Sequence, residues 1–367
     1  MPDRREVVVS GMRPTGRLHI GNYWGALKNW VSLTDRYDCY FFIADWHMLT
    51  TGYADTSALQ NDIREMVLDW LAAGLDPEKC VIFKQSDVTE HAELAVLLGM
   101  VTPLSWLENN PTWKEQLQEL AKTKESLLRE HVVAAQSHQA VNVAGPKTGI
   151  PAASYELRTF GFLGYPVLQA ADILLYQGSR VPVGQDQLPH VELSREIARK
   201  FNHTYGAVLA EPQPLLTQTP KVPGNDGRKM SKSYGNTVDI YETPESLKTK
   251  VMSMYTDPKK IRLSDAGHPD PCPENPPGCV VYALHKLYTQ GWEKIGEDCR
   301  AGRLGCVADK KHLMDSLSGP FAEFRKAREA YAAKPERIDA ILGDGARKAQ
   351  KVASQTMSKV REAMRLK

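Results

Sequence analysis

Two rhythms of apolar and polar residues alternate over the first hundred positions. Val7-Val8-Val9 is a β-branched run; a turn rich in Gly and Pro follows (11–16), then a helical stripe from about Asn22 with Tyr23, Leu27, Trp30 and Val31 on one face. Residues 39–44 read as a second, buried strand. A helix begins near Asp55 or Thr56 and keeps Leu59, Ile63, Val67, Trp70 and Leu71 at helical spacing. It stops at Gly74, which takes the C′ position. Val81-Ile82-Phe83 is the third strand. Strands and helices alternating through short loops predict an α/β fold with a doubly wound parallel sheet, whose ligands bind at the carboxyl ends of its strands.

From 119 to 156 the pattern degrades into a polar amphipathic stretch and a loop with two prolines and two glycines (142–151), which we read as an insertion. The sheet pattern resumes with an apolar helix at 164–176, a segment at 180–184 and a helix at 188–201. After Asn236 helical patterns run to the end, broken by a Pro-rich stretch at 269–277. The expected organisation is a Rossmann-like catalytic unit over 1–220 and a smaller all-helical unit over 221–367.

Composition narrows the class. With 42% hydrophobic and 25% charged residues among 367, a disordered chain is excluded. No apolar run approaches the ~18 residues of a membrane helix. Residues 1–6 are charged and lead into three valines, not into a secretory signal, so a cytoplasmic location is expected. The net charge of +2 announces no polyanion partner. Its distribution does more: 309–367 carries fourteen Lys+Arg against eight Asp+Glu, leaving the first 308 residues at −4. A basic carboxy-terminal helical region suits contact with a nucleic acid, although a solvated charged face has the same composition.

Three segments carry chemistry. The first, Pro14-Thr-Gly-Arg-Leu-His-Ile-Gly21-Asn22, follows the first strand. Gly21 lets backbone approach a nucleotide, the helix amino terminus offers N–H groups to phosphate, and His19 and Asn22 add side-chain donors there. The second, Lys229-Met230-Ser231-Lys232-Ser233, sits in a glycine-rich polar loop. Its two lysines can close over phosphates and offset charge on a leaving group, with the serines as short donors. The third is Asp172, a carboxylate on an apolar helix where Tyr165, Gln169 and Tyr176 share its stripe. Such a group needs a partner, either a ligand donor or a structural Arg or backbone N–H.

In this order and spacing the three segments resemble the class I aminoacyl-tRNA synthetases, specifically the bacterial tryptophanyl type. The first is a variant of the class's "HIGH" signature and the second its "KMSKS" loop unchanged; the likeness spans nearly the whole chain apart from the insertion. The resemblance implies a homodimeric tryptophan–tRNA ligase using ATP with Mg2+, L-tryptophan and tRNA(Trp). It implies that Asp172 accepts from the indole N–H and that Gly11, His47, Gln169, Val181, Val183 and Gln187 line the amino-acid pocket. It further implies that Gly184, Gln185 and Asp186 form a ribose-binding turn, with Arg13, Pro14, Thr15, Val222 and Met230 as other ATP contacts.

This chain departs from the pattern at Asn22, where many members have histidine, and at Arg13, where many have glutamine. Ala171 stands where tyrosyl relatives typically carry tyrosine. Tyrosine–tRNA ligation and a non-charging RNA-binding paralogue are the alternatives. Of six cysteines, Cys39 and Cys80 are expected in buried strands. Cys272, Cys279, Cys299 and Cys306 have two readings: free thiols, which the spacing favours, or an iron–sulfur site, since some relatives bind a cluster on a related pattern that Asp309 interrupts here.

Overall fold

A computed structural model describes residues 5–110, 159–216 and 221–367; the 119–156 insertion lies outside the described residues. The amino-terminal half runs β1 (Val7–Met12), α1 (20–33), β2 (Asp38–Ile43), α2 (Asp45–Gly52), α3 (Leu59–Ala72), β3 (Cys80–Lys84), α4 (Glu90–Gly99) and α5 (Leu104–Glu108). Then come α6 (Phe160–Leu174), β4 (Arg180–Val183), α7 (Leu188–Tyr205) and β5 (Gln213–Leu216). Five helices follow: α8 (Pro244–Ser253), α9 (Val280–Tyr288), α10 (Trp292–Arg300), α11 (Cys306–Ala332) and α12 (Pro335–Ala363).

The five strands form one parallel sheet in the order β3-β2-β1-β4-β5, so the expected doubly wound sheet is present. Chain order reverses between β1 and β4. That switch point opens a crevice at the strands' carboxyl ends, where this architecture binds ligands.

Alternation along each strand splits the core. Val8, Phe41, Ile43 and Ile82 face a cluster containing Trp30, Met66, Trp70 and apolar residues of the carboxy-terminal helices. Val9, Phe42 and Phe83 face another, with Leu94, Leu98, Ala170, Ile197 and Met357. Strands buried on both faces read as continuous apolar runs, which explains why β2 stands out in the sequence.

Gly74 follows α3 at φ +95°, the left-handed conformation expected of a C′ glycine. Helix α1 begins two residues earlier than its apolar stripe suggests. Its middle is a π turn at Tyr23–Leu27, between α-helical segments at Ile20–Asn22 and Lys28–Leu33. Helix α2 has no counterpart in the sequence pattern. Tertiary bonds fix its start: buried Asp45 accepts from the Ser86 backbone N–H at 3.1 Å and from the Ser86 hydroxyl, and locally from the Trp46 N–H at 3.1 Å.

Candidate active site

A cleft of about 660 Å³ opens at the switch point. Its floor comes from the ends of β1 and β4 and its walls from α1, α2 and α6. Gly11, His47, Gln169, Asp172, Val181, Val183 and Gln187, the positions expected around an amino acid, all line it. Gly11 must be glycine here: it pairs with Phe42 across β1 and β2, and an added Cβ would lie 2.4 Å from the Phe42 ring.

Asp172 is 1% exposed and has three side-chain partners. His47 Nε2 donates to Oδ2 at 2.8 Å; Gln85 Nε2 and His91 Nδ1 donate to Oδ1 at 2.8 and 2.7 Å. Burial by itself would push the carboxyl up, but the bonds from His47 and His91 outweigh it and bring the group down to about 2. The carboxylate is therefore ionised and acts only as an acceptor. With its Nδ1 proton committed, His91 accepts at Nε2 from the Tyr176 hydroxyl at 2.7 Å. Gln85 is itself oriented by the Trp46 N–H, which donates to its Oε1 at 3.2 Å. These three side-chain donors satisfy the buried carboxylate where an Arg or backbone N–H is the expected structural partner.

Gln85 and His91 do not emerge from the sequence pattern. The signal available is a polar turn, Gln85–Asp87, at the carboxyl end of a buried strand, where such sheets gather functional groups. Tyr165 and His190, whose side chains lie 3.3 Å apart, also line the cleft.

The nucleotide-type segments meet beside this cleft. His19 caps α1: its Nδ1 accepts from the Asn22 N–H, and Asn22 Oδ1 accepts from the His19 N–H, both at 3.2 Å. A ring accepting at Nδ1 carries its proton on Nε2. Burial, reinforced by the nearby Lys232 charge, lowers His19 to about 4, so the ring is neutral near pH 7 and remains a hydrogen-bond donor.

Met230 Sδ lies 3.6 Å from where a Cβ on Gly21 would sit, and the Lys232 ammonium donates to the Thr15 carbonyl. The Ile20 N–H donates to Val238 O at 2.9 Å and the Ile240 N–H to Leu18 O at 3.2 Å, pairing the first segment with residues 238–240, downstream of the dilysine loop. Buried Asn236, which carries no motif signal, staples the dilysine loop. Its Oδ1 accepts from the Ser231 N–H at 2.8 Å, and its Nδ2 donates to Lys229 O at 3.1 Å.

Of the remaining ATP-type positions, Arg13, Thr15, Asn22 and Gly184 line the cleft, while Lys229 is exposed to solvent. Gln185 and Asp186 lie in the 3-10 turn directly after β4. Pro14 is buried in the turn and Val222 in the core. Arg13 reaches Thr51 Oγ1 and Met48 Sδ, both uncharged.

The family model for class I tRNA synthetases (W and Y) matches residues 1–132 and 149–322. The chain belongs to this family. The tryptophan–tRNA ligase of Aquifex aeolicus is 48% identical, with 98% of this chain and 99% of that protein covered. The Thermotoga maritima tryptophan–tRNA ligase is 43% identical over 98% and 99% of the two chains. Among solved structures, the Campylobacter jejuni tryptophanyl-tRNA synthetase complexed with ADP and tryptophan matches with a TM-score of 0.76 and 32% identity, covering 98% of this chain and 99% of that one.

The four later cysteines all lie among the described residues. Among the described residues no group of three or more His, Cys, Asp or Glu is placed to hold a metal ion, and all six cysteines are free. With no metal bound, burial pushes the Cys279 thiol up to about 12 and Cys299 up to about 11, so both are protonated in this state. Cys272 belongs to a tight turn, where its N–H donates to Asn275 O at 3.1 Å. Cys306 opens α11.

Proposed function

We propose that this chain is a tryptophan–tRNA ligase: it activates L-tryptophan with ATP to tryptophanyl-adenylate and pyrophosphate, then transfers tryptophan to tRNA(Trp). The observation that carries the reading is the Asp172 carboxylate, kept ionised at the cleft wall by His47 and His91. It can accept a hydrogen bond, and the indole N–H is a pure donor.

The amino-acid carboxylate attacks the α-phosphate in line, the bond to the bridging oxygen breaks, and pyrophosphate leaves. ATP enters as its Mg2+ complex. No covalent enzyme intermediate is needed, so the residues position reactants and offset charge; orientation of this kind lowers a barrier by roughly 7–11 kcal/mol. Neutral His19, with Asn22 and the α1 amino terminus at Gly21, acts at the α-phosphate. Lys229 and Lys232, with Met230, Ser231 and Ser233 of their loop, act at the leaving pyrophosphate. Gly184, Gln185 and Asp186 hold the ribose, and Arg13, Pro14, Thr15 and Val222 complete the ATP contacts.

The helical region 221–367, basic towards its end, holds the anticodon limb. The exposed apolar side chains Val96, Leu104 and Phe160 of α4, α5 and α6, with Met100 just after α4, support a homodimer. No described helix is long and apolar enough to cross a membrane. A translation enzyme of this kind works in the cytoplasm, with its tRNA.

Pyrophosphate exchange into ATP, assayed with each of the twenty amino acids, tests the reading. Exchange with tryptophan alone supports it, and exchange with tyrosine overturns it. Normal adenylate formation without charging of tRNA(Trp) favours a non-charging paralogue.

A further inference from the structure

Helix α11 sends one side chain towards the phosphate-binding turn. Arg328 Nε donates to Asp69 Oδ1 at 2.8 Å and Nη2 to Glu65 Oε2 at 2.7 Å, both carboxylates being on α3. Asp69 is fully buried, and its Oδ2 accepts from the backbone N–H of Leu18 at 2.7 Å. Leu18 immediately precedes His19.

The same guanidinium lies 4.6 Å from the centre of the Tyr241 ring, just after the segment paired with Leu18 and Ile20. Arg17 joins the group, donating to Glu65 Oε2 at 2.6 Å and lying 5.1 Å from the Tyr241 ring. One arginine from a carboxy-terminal helix thus bears on both sides of the pairing between residues 18–20 and 238–240.

An exposed ion pair would carry little weight. This one is withdrawn from water, and removing one partner of a buried pair strands the other charge. Burial pushes the Asp69 carboxyl up to about 6 even though the Leu18 and Arg328 bonds oppose the rise. Without Arg328 the acid form gains, and a neutral acid accepts the Leu18 N–H less strongly than a carboxylate does.

We infer that Arg328 is a positioning residue for His19: by holding Asp69 it fixes the Leu18 N–H, and so sets where the His19 ring meets ATP. The inference rests on the ligase reading above. It also links α11, within the region assigned to the tRNA, to the step at the nucleotide.

The test is tryptophan-dependent ATP–pyrophosphate exchange by the full chain, for the wild type, Arg328→Met, Arg328→Lys, His19→Asn and the two double variants, with a melting curve for each. Arg328→Met lowers kcat at least about tenfold while KM for tryptophan stays within about twofold, and Arg328→Lys, which keeps the charge, recovers part of the loss. In the His19→Asn background either Arg328 change costs less than about twofold, because its effect passes through the missing ring. If Arg328→Met fails to fold, the Arg328→Lys cycle measures the same coupling to His19.

Equal losses with and without His19, or a KM for tryptophan that rises in step with the loss of kcat, overturn the positioning role. A wild type that shows no exchange overturns the ligase reading instead.

Discussion

The ammonium of Lys232 donates a hydrogen bond to the carbonyl oxygen of Thr15, across 217 residues of chain. The dilysine loop is thereby docked on the turn that leads into α1. In the proposed reaction Lys232 exchanges this carbonyl for a phosphate oxygen, and its charge counts most when pyrophosphate departs.

Lys232→Ala should therefore lower kcat for exchange by about 10²-fold, the scale seen when one transition-state donor is removed. ATP affinity in equilibrium binding should change less than about threefold. Loss of affinity matching the loss of kcat would show a loop that binds ground-state ATP.

Asp172→Ala should raise KM for tryptophan by about 10- to 150-fold, equivalent to losing a hydrogen bond to a charged group of ~1.5–3 kcal/mol. KM for ATP should hardly move. Steady-state exchange at varied tryptophan reads the split, and an unchanged tryptophan KM would remove Asp172 from the amino-acid site.

His19 sets a pH prediction. Burial, with Lys232 adding to it, places the folded ring at about 4, below the ordinary 6.5, so the fold prefers the neutral ring. Its contribution to stability is unaffected above 6.5 and declines as pH falls from there towards 4. Exchange kcat should be level from about pH 5 to 8 with respect to this group. An acid limb near 6.5 that vanishes in His19→Asn would contradict a neutral His19.

Gly345 tests the packing of α12 on the sheet. A Cβ there would lie 1.8 Å from the Ile82 carbonyl oxygen, with the strand's backbone on the receiving side. Alanine gains about 1 kcal/mol in helix propensity, but overpacking costs typically ~1–3 kcal/mol, and a contact this close puts the cost at the upper end. Gly345→Ala should lower the melting temperature; a rise would mean that α12 stands off β3.

Much of this is legible in the sequence for identifiable reasons. Strands β1 to β3 are buried on both faces, so each announces itself as an apolar run. Gly21, His19 and the dilysine loop are local strings, and Asp172 stands out as a charge on an apolar helix. What stays hidden depends on contacts between distant residues. The bonds of Gln85 and His91 to Asp172 span 87 and 81 residues. Helix α2 buries Asp45 rather than an apolar stripe, so its residues show no helical period. The π turn in α1 has no periodicity of its own over five residues. Gly345 looks like a flaw in a helix until Ile82 is seen beneath it. The cysteine spacing carries no information on burial, which raises the Cys279 and Cys299 thiols when no metal is bound.

The central claim is that Asp172, the α1 turn and the dilysine loop serve one bound reactant pair. A crystal structure of the chain with tryptophan and a non-hydrolysable ATP analogue tests it most directly. The account predicts the indole nitrogen within hydrogen-bond distance of Asp172 and the triphosphate in contact with both the α1 turn and the lysines of the dilysine loop. An indole bound away from Asp172, or a triphosphate that touches neither segment, would contradict it.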